Sequence, residues 1–242
     1  MKATAFEFRN RSWIIAAIFV AAFSLYALGD ENVVLALLGW LHRWPAIDQV
    51  AAARTVFGLG AFLALLCAAL RTWAAAYLRS RVVHDRDLHS AALVADGPYR
   101  HVRNPLYLGG ILLSFAFVPL AGRFGAVLLV LAMATFVCRL IAREESELLA
   151  SQGDSFRRYC ETVPRLLPSL APRIPCSGNR PGWLQAALGE AMMWGFFLAL
   201  AGFALTLSPR VYGTGVGLAL ASSVVVKSRL WRRQGPGAGV TS

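Results

Sequence analysis

Long stretches of this 242-residue chain carry no charged residue at all, and those gaps constrain its fold more than any motif does. Residues 12–29, 104–122 and 191–209 are charge-free, and 55–78, 124–142 and 211–226 are interrupted or bounded only by single arginines such as Arg71 and Arg139. Each has the roughly 17 to 25 residues needed to cross a hydrocarbon core. Hydrophobic residues make up 57% of the chain and charged ones 15%, more apolar surface than a soluble domain of this size buries, so a bilayer must solvate the remainder. Only helices and closed barrels satisfy every backbone polar group in lipid. The expected fold is therefore all-α: a polytopic integral membrane helical bundle with about six transmembrane helices. A further apolar piece, 32–41, is too short to span and reads as interfacial or re-entrant. Tyr26, Leu28, Gly29 and Asp30 do not form a small-residue cleavage site, so the first helix is expected to stay in the mature chain.

The net charge of +11 resembles a nucleic-acid signal until its placement is considered. Segments 1–12, 79–104, 139–183 and 227–242 hold three, five, seven and four Lys or Arg, whereas the alternate loops hold only Arg43, Arg54, Arg123 and Arg210. That asymmetry predicts cytoplasmic N- and C-termini and contact with anionic lipid headgroups, and it argues against nucleic-acid binding. The chain divides into 1–54, a first helix and its non-cytoplasmic loop; 55–170, three helices with two polar cytoplasmic segments; and 171–242, a C-terminal helix pair with a basic tail. Cys67, Cys138, Cys160 and Cys176 fall in helices or on the reducing side and are expected to be free thiols. No metal site is read from the sequence.

Nearly all residues capable of chemistry lie in 79–108 and 139–170. Only a tight hairpin, turned by Pro119, Gly122 and Gly125, separates them, so both emerge on one face as neighbours. The first contains Asp96-Gly97-Pro98-Tyr99-Arg100-His101-Val102-Arg103-Asn104-Pro105-Leu106-Tyr107-Leu108-Gly109-Gly110. Gly97-Pro98 signals a turn, and Pro105 suits a first helical turn, where its missing N–H costs nothing. An aromatic and basic interfacial anchor is the plain alternative. The second opens with Arg139, Arg143, Glu144, Glu145 and Glu147, which on a continuing helix would pair Arg143 with Glu147 at i,i+4. A solvated helix end explains these residues equally, whereas carboxylates at a membrane exit can also bind a cationic ligand. Residues 153–168, with Phe156, Tyr159 and Val163, suit an amphipathic helix on the membrane surface followed by a proline-bounded return.

Together these residues resemble the isoprenylcysteine carboxyl methyltransferase family, in a wider group with phospholipid N-methyltransferases and small-thiol S-methyltransferases. The resemblance runs through Gly97, Tyr99, Arg100, Arg103, Asn104, Pro105, Tyr107 and Gly109, then Glu144-Glu145, Gly153, Tyr159 and Val163-Pro164-Arg165-Leu166-Leu167-Pro168. It implies methyl transfer from S-adenosyl-L-methionine to a lipophilic small-molecule or lipid substrate, in a pocket at the cytoplasmic face. By the same resemblance Tyr99, His101, Arg103, Asn104, Pro105, Tyr107, Glu144 and Glu145 are expected at the cofactor; Glu144 is also expected at the reaction, with Arg139 and Arg143 placed to steer an acceptor carboxylate or equally to bind a headgroup phosphate. Asn104 stands where the family has His; an amide can replace its hydrogen bond but cannot titrate, which leaves His101 as the nearby imidazole.

The glycines at 58 and 60 and at 213, 215 and 217 lie within apolar helices and suit close helix packing, not a dinucleotide-binding turn. A membrane reductase of the sterol or steroid type is the alternative enzyme, and a transporter or assembly subunit the non-enzymatic one, for which Glu190 near the fifth helix is the notable residue. Ala- and Arg-rich composition points to a bacterial inner membrane. The acceptor is expected to enter sideways from the bilayer, past Leu106, Ile111, Phe115, Phe136 and Leu140. The charge asymmetry gives a direct test of topology: single-cysteine probes at Asp48 or Arg123 should react with an impermeant thiol reagent applied from outside. Probes at Ser90 or Ser169 should react only after permeabilisation, and the reverse pattern would invert the assignment.

Overall fold

The computed structural model describes residues 2–44, 48–84 and 95–233, and among these the regular structure is entirely helical. Helices α1 (Ala5–Arg9) and α2 (Arg11–Ser24) are followed by α3 (Val33–Leu41), whose first amides, Val34 and Leu35, donate to the Asn32 side chain at 2.8 and 3.1 Å. At nine residues α3 is too short to cross, as read from 32–41. Helix α4 (Gln49–His84) continues unbroken through Arg71 for 36 residues. Pro105 opens α5 (Pro105–Phe117), and a 3-10 turn, Val118–Leu120, leads into the 30-residue α6 (Arg123–Gln152). After Gly153 come α7 (Asp154–Thr162), a non-helical return, then α8 (Trp183–Gly189), α9 (Ala191–Thr206) and α10 (Pro209–Arg233).

Among the described residues three helices are long and apolar enough to cross a membrane by themselves: Arg11–Leu28, Gln49–Leu78 and Arg123–Gln152. A fourth crossing results if α8 and α9, bent by 61° at Glu190, act as one span, and Pro105–Leu120 is a shorter apolar helix. The result is a helical membrane bundle with α4 as its axis, against which α5, α8 and α9 lie. The face of α4 toward them is built of small residues, Ala61, Ala64, Cys67 and Ala68, packed with Leu113, Ala116 and Phe117 of α5, Met133 of α6 and Leu200 of α9. Small residues suit this position because lipid gives no hydrophobic drive for helices to associate, so van der Waals contact at close range must do so. Large apolar side chains such as Phe62, Leu131 and Leu205 point outward. Of the intrahelical glycines, Gly60 and Gly215 do meet a neighbour closely, Ala116 and Ala199 respectively, whereas Gly58, Gly213 and Gly217 face open space. Close packing thus accounts for only two of those five.

The two ends of α6 are held by distant segments. At its start, both oxygens of the buried Asp30 accept backbone N–H groups, from Phe124 at 3.2 Å and Gly125 at 3.0 Å, a cap supplied by the α2–α3 connection. At its far half, Arg139 pairs with Glu7 of α1 at 2.8 Å, and the Arg139 carbonyl accepts the Ala3 amide at 3.0 Å. Arg143 donates to the Ala3 carbonyl, pairs with Glu147 at 2.8 Å and lies over the Phe8 ring. The N-terminal segment therefore sits at the end of the bundle where the polar segments emerge. Helix α7 differs from expectation. Its apolar residues Phe156 and Tyr159, with Val163, are buried against Ala95, Leu148 and Ile174, because the non-helical return covers the face that would otherwise need a bilayer.

A Cβ on Gly122 would collide with the Asp30 carboxylate. Gly122→Ala and Asp30→Ala should each lower unfolding stability by about 1 kcal/mol through loss of the same cap, and the double variant by no more than either alone. Thermal unfolding in one detergent checks this, and additive losses would show that the two residues act separately.

Candidate active site

The first polar segment is positioned from below by α4 and from above by the return. Gly97 has φ +59°, and any Cβ there would run into the Tyr77 ring, so both conformation and space require glycine. The turn Gly97–Arg100 that follows buries Pro98 and Tyr99. Beside it the fully buried Asp96 accepts N–H groups of Ser177 at 2.7 Å, Asn179 at 3.2 Å and the Asn179 side chain at 2.7 Å. Burial alone would raise the carboxyl's pKa, but these hydrogen bonds outweigh it and hold it below the ordinary range. The return then runs alongside: Arg103 N–H donates to Pro164 O, Ser169 N–H to His101 O and Arg173 N–H to Arg100 O, each at 2.9 Å. The Tyr159 hydroxyl closes the stack on Tyr99 O at 2.8 Å.

At the junction of the segments lies the Glu145 carboxylate, 11% exposed. Its Oε1 receives the Asn104 amide at 3.2 Å and lies 3.3 Å from Arg103 Nε; its Oε2 accepts Arg165 Nε at 3.0 Å. Asn104 also donates to the Arg165 carbonyl at 3.2 Å, and Arg103 Nη1 to the Cys160 carbonyl at 2.7 Å. Glu145 thus ties α6 to the start of α5 and to the return. Asn104 is used as an amide donor with two acceptors, a task that needs no titratable ring.

Glu144, one residue earlier on α6, is placed differently. It is half-buried and has no ion pair among the described residues. The Tyr107 phenol lies against it, and the Tyr99 phenol is within its electrostatic reach. Burial first, and the Glu144 charge second, push the Tyr99 hydroxyl well above its ordinary range, so it remains a neutral phenol. The structure therefore sets a carboxylate without an ion pair among the described residues beside the Tyr107 phenol and within electrostatic reach of Tyr99, an arrangement suited to a cation.

The expected site residues separate into groups. Tyr99, Arg103, Asn104, Pro105, Tyr107, Glu144 and Glu145 converge at this junction. His101 lies on the return side, where its Nδ1–H donates to the Ser169 carbonyl at 2.8 Å and its ring tilts against Trp73. Arg139 and Arg143 engage Glu7, Glu147 and Ala3, as described above, although the Nε of each is buried without a hydrogen-bond partner. Three contributors escaped sequence reasoning as site residues: Asp96, Arg165 and the Arg71–Glu190 pair, joined by two hydrogen bonds at 2.8 and 3.2 Å. The last left a signal, since two isolated opposite charges in neighbouring apolar helices must find each other or water.

Comparison with known proteins finds a likeness over the segment that carries most of this junction. The Schizosaccharomyces pombe protein "Protein-S-isoprenylcysteine O-methyltransferase" is 33% identical over 90 residues, which covers 37% of this chain and 38% of that protein. No solved structure matches the chain. Residues 59–150, from the first third of α4 almost to the end of α6, match the model of the Isoprenylcysteine carboxyl methyltransferase (ICMT) family, and it is through that segment, which carries both Tyr107 and the Glu144–Glu145 pair, that the chain resembles this family.

Proposed function

We propose that this protein is a membrane-bound, S-adenosyl-L-methionine-dependent methyltransferase acting on a lipophilic nucleophile. The observation that carries the reading is Glu144, a half-buried carboxylate with no ion pair among the described residues, beside the Tyr107 phenol and within electrostatic reach of Tyr99 at the junction of the matched segment. When bound, the cofactor supplies an electrophilic methyl group on a positively charged sulfur. Glu144 balances a positive charge in that place, with Tyr107 and Tyr99 as the aromatic wall. Nη1 and Nε of Arg103 are turned to Cys160 and Glu145, which leaves Nη2 for the carboxylate of a ligand. Asn104, Pro105 and Glu145 act through the backbone that they hold. A displacement at a methyl group is favoured chiefly by alignment and by a dry, matched electrostatic environment, and a rigid junction supplies both.

The two glutamates should then fail in different ways. Glu144→Gln should weaken S-adenosylhomocysteine binding about tenfold or more, through loss of a charge-assisted contact, with little change in thermal stability. Glu145→Ala should lower both together, stability by about 1–3 kcal/mol, because it strands Arg103 and Asn104. Calorimetric titration beside thermal unfolding separates these outcomes. Unchanged affinity in Glu144→Gln would sink the reading.

The acceptor is drawn from the bilayer. A cavity of about 690 Å³ lies between α2, α5, α9 and α10, lined by Ile15, Phe19, Phe117, Met193, Phe196 and Leu220 among others. This is a different set from Leu106, Ile111, Phe115, Phe136 and Leu140: Phe136 and Leu140 are covered by Ala3, Phe8 and the first turns of α2. Ile15 lines the cavity and also packs in the cluster that holds Tyr107, so an apolar chain in the cavity would end near the junction. The relative's name gives an isoprenylcysteine as its acceptor; here the carboxylate, amine or thiol at the head is secondary to the apolar tail. Acceptors sharing one head group should gain about 0.8 kcal/mol per added methylene until the cavity is filled. Phe196→Trp should move that limit to shorter chains, which a chain-length series in liposomes would measure; a water-soluble acceptor outperforming the whole series would refute lateral entry.

A further inference from the structure

Arg71 sits in the middle of α4, at a depth where a lone guanidinium is costly. Its Nε and Nη2 donate to the two carboxylate oxygens of Glu190 at 2.8 and 3.2 Å, a planar fork-to-fork pair 25% and 11% exposed. The third donation goes elsewhere: Nη1 reaches the Leu106 carbonyl, in the first turn of α5, at 3.2 Å. The side chain has room to make that crossing because residue 109 is glycine, where a Cβ would come within 2.5 Å of Arg71 Cγ.

The first turn of α5 has no side-chain cap of its own. Asn104, at the N-cap position, accepts none of the first-turn amides, and its Nδ2 donates to Glu145 and the Arg165 carbonyl. What fixes the turn on the membrane side is the Arg71 contact, and what fixes Arg71 is Glu190. Glu190 in turn stands at the 61° break between α8 and α9, where its carbonyl accepts Met193 N–H and its N–H donates to Ala186 O, both at 2.9 Å. The indole of Trp194, one turn further, donates to Thr72 beside Arg71 at 3.0 Å. Leu106 is followed directly by Tyr107, whose phenol lies against Glu144.

We infer that Glu190, acting through Arg71 and the Leu106 carbonyl, is a positioning residue for the Tyr107–Glu144 face of the site, so that the bent α8–α9 pair, outside the matched segment 59–150, completes it. This rests on the proposed methyltransferase reading for its ligand, but not for its linkage. The break at Glu190 allows its carboxylate to turn toward α4 at that level.

The test uses the full chain in nanodiscs with two changes, Glu190→Gln and the double replacement Arg71→Met with Glu190→Leu. Glu190→Gln leaves a charge uncompensated and should lose thermal stability; the double replacement removes both charges and should recover it. Both should bind S-adenosylhomocysteine about tenfold to 100-fold more weakly than the unaltered protein, because the first leaves Arg71 without the carboxylate that fixes it and the second removes the donor to the Leu106 carbonyl. Both should also exchange the backbone amides of residues 106–110 faster. A purely structural pair would make affinity return with stability in the double replacement, and that result overturns the inference. So does unchanged exchange at 106–110 in both variants. If the unaltered protein binds no S-adenosylhomocysteine, the methyltransferase reading fails instead, and the exchange rates alone decide whether Glu190 governs the start of α5.

Discussion

One carboxylate, that of Glu145, receives the convergent donations that make two separated stretches of chain into one surface. Asn104 and Arg103 come from the start of α5, and Arg165 from beyond α7, twenty residues past Glu145. Asn104 and Arg103 lie at low exposure, where an unpaired group is costly, and Glu145 takes the amide of one and the charge of the other, while the 54% exposed Arg165 closes the cluster from the solvent side. The arrangement is self-limiting, because a carboxylate with two oxygens occupied by protein donors has little capacity left for a ligand. Glu144 is then the group of the pair with capacity to spare. Neighbouring residues on a helix point about 100° apart, so α6 can direct one glutamate into the scaffold and the next into the space the scaffold encloses.

The hydrophobic part of the molecule follows a different logic. Water drives no association between helices in a bilayer, so the α4 interface relies on alanines and one cysteine that let backbones approach. Polar contacts across helices are few there, and they are grouped: Arg71 with Glu190 and Leu106, Thr72 with Trp194. They lie on the α4 face toward α5, α8 and α9, just beneath the polar segments, where orientation matters more than adhesion.

Much of this was legible in the sequence where one physical demand acted alone. The absence of charge over 12–29 or 104–122 leaves a chain few options besides a helix in lipid, and Pro105 marks the start of α5 because a proline there forfeits no hydrogen bond. Segments that had two possible solvents were harder. The apolar face of α7 suits either a membrane surface or a protein surface, and the return chain decided it. The local pairing of Arg143 with Glu147 could be read from i,i+4 spacing and holds, yet Glu7 for Arg139 and the Ala3 carbonyl for Arg143 lie more than 130 residues away and no local pattern announces them. The different duties of Glu144 and Glu145 were likewise invisible, since adjacent identical residues carry no sign of which way each one faces.

The Asp30 cap gives α6 a fixed origin. From Gly125, whose amide it holds, to Glu145 is twenty residues, a rise of about 30 Å. That length equals the hydrocarbon thickness of an ordinary bilayer, also about 30 Å. Helix α6 therefore behaves as a gauge rod, clamped at one leaflet and carrying the two glutamates at the other. A thinner or thicker membrane would be met by tilting the whole rod, with the two glutamates kept at its far end and their mutual geometry unchanged.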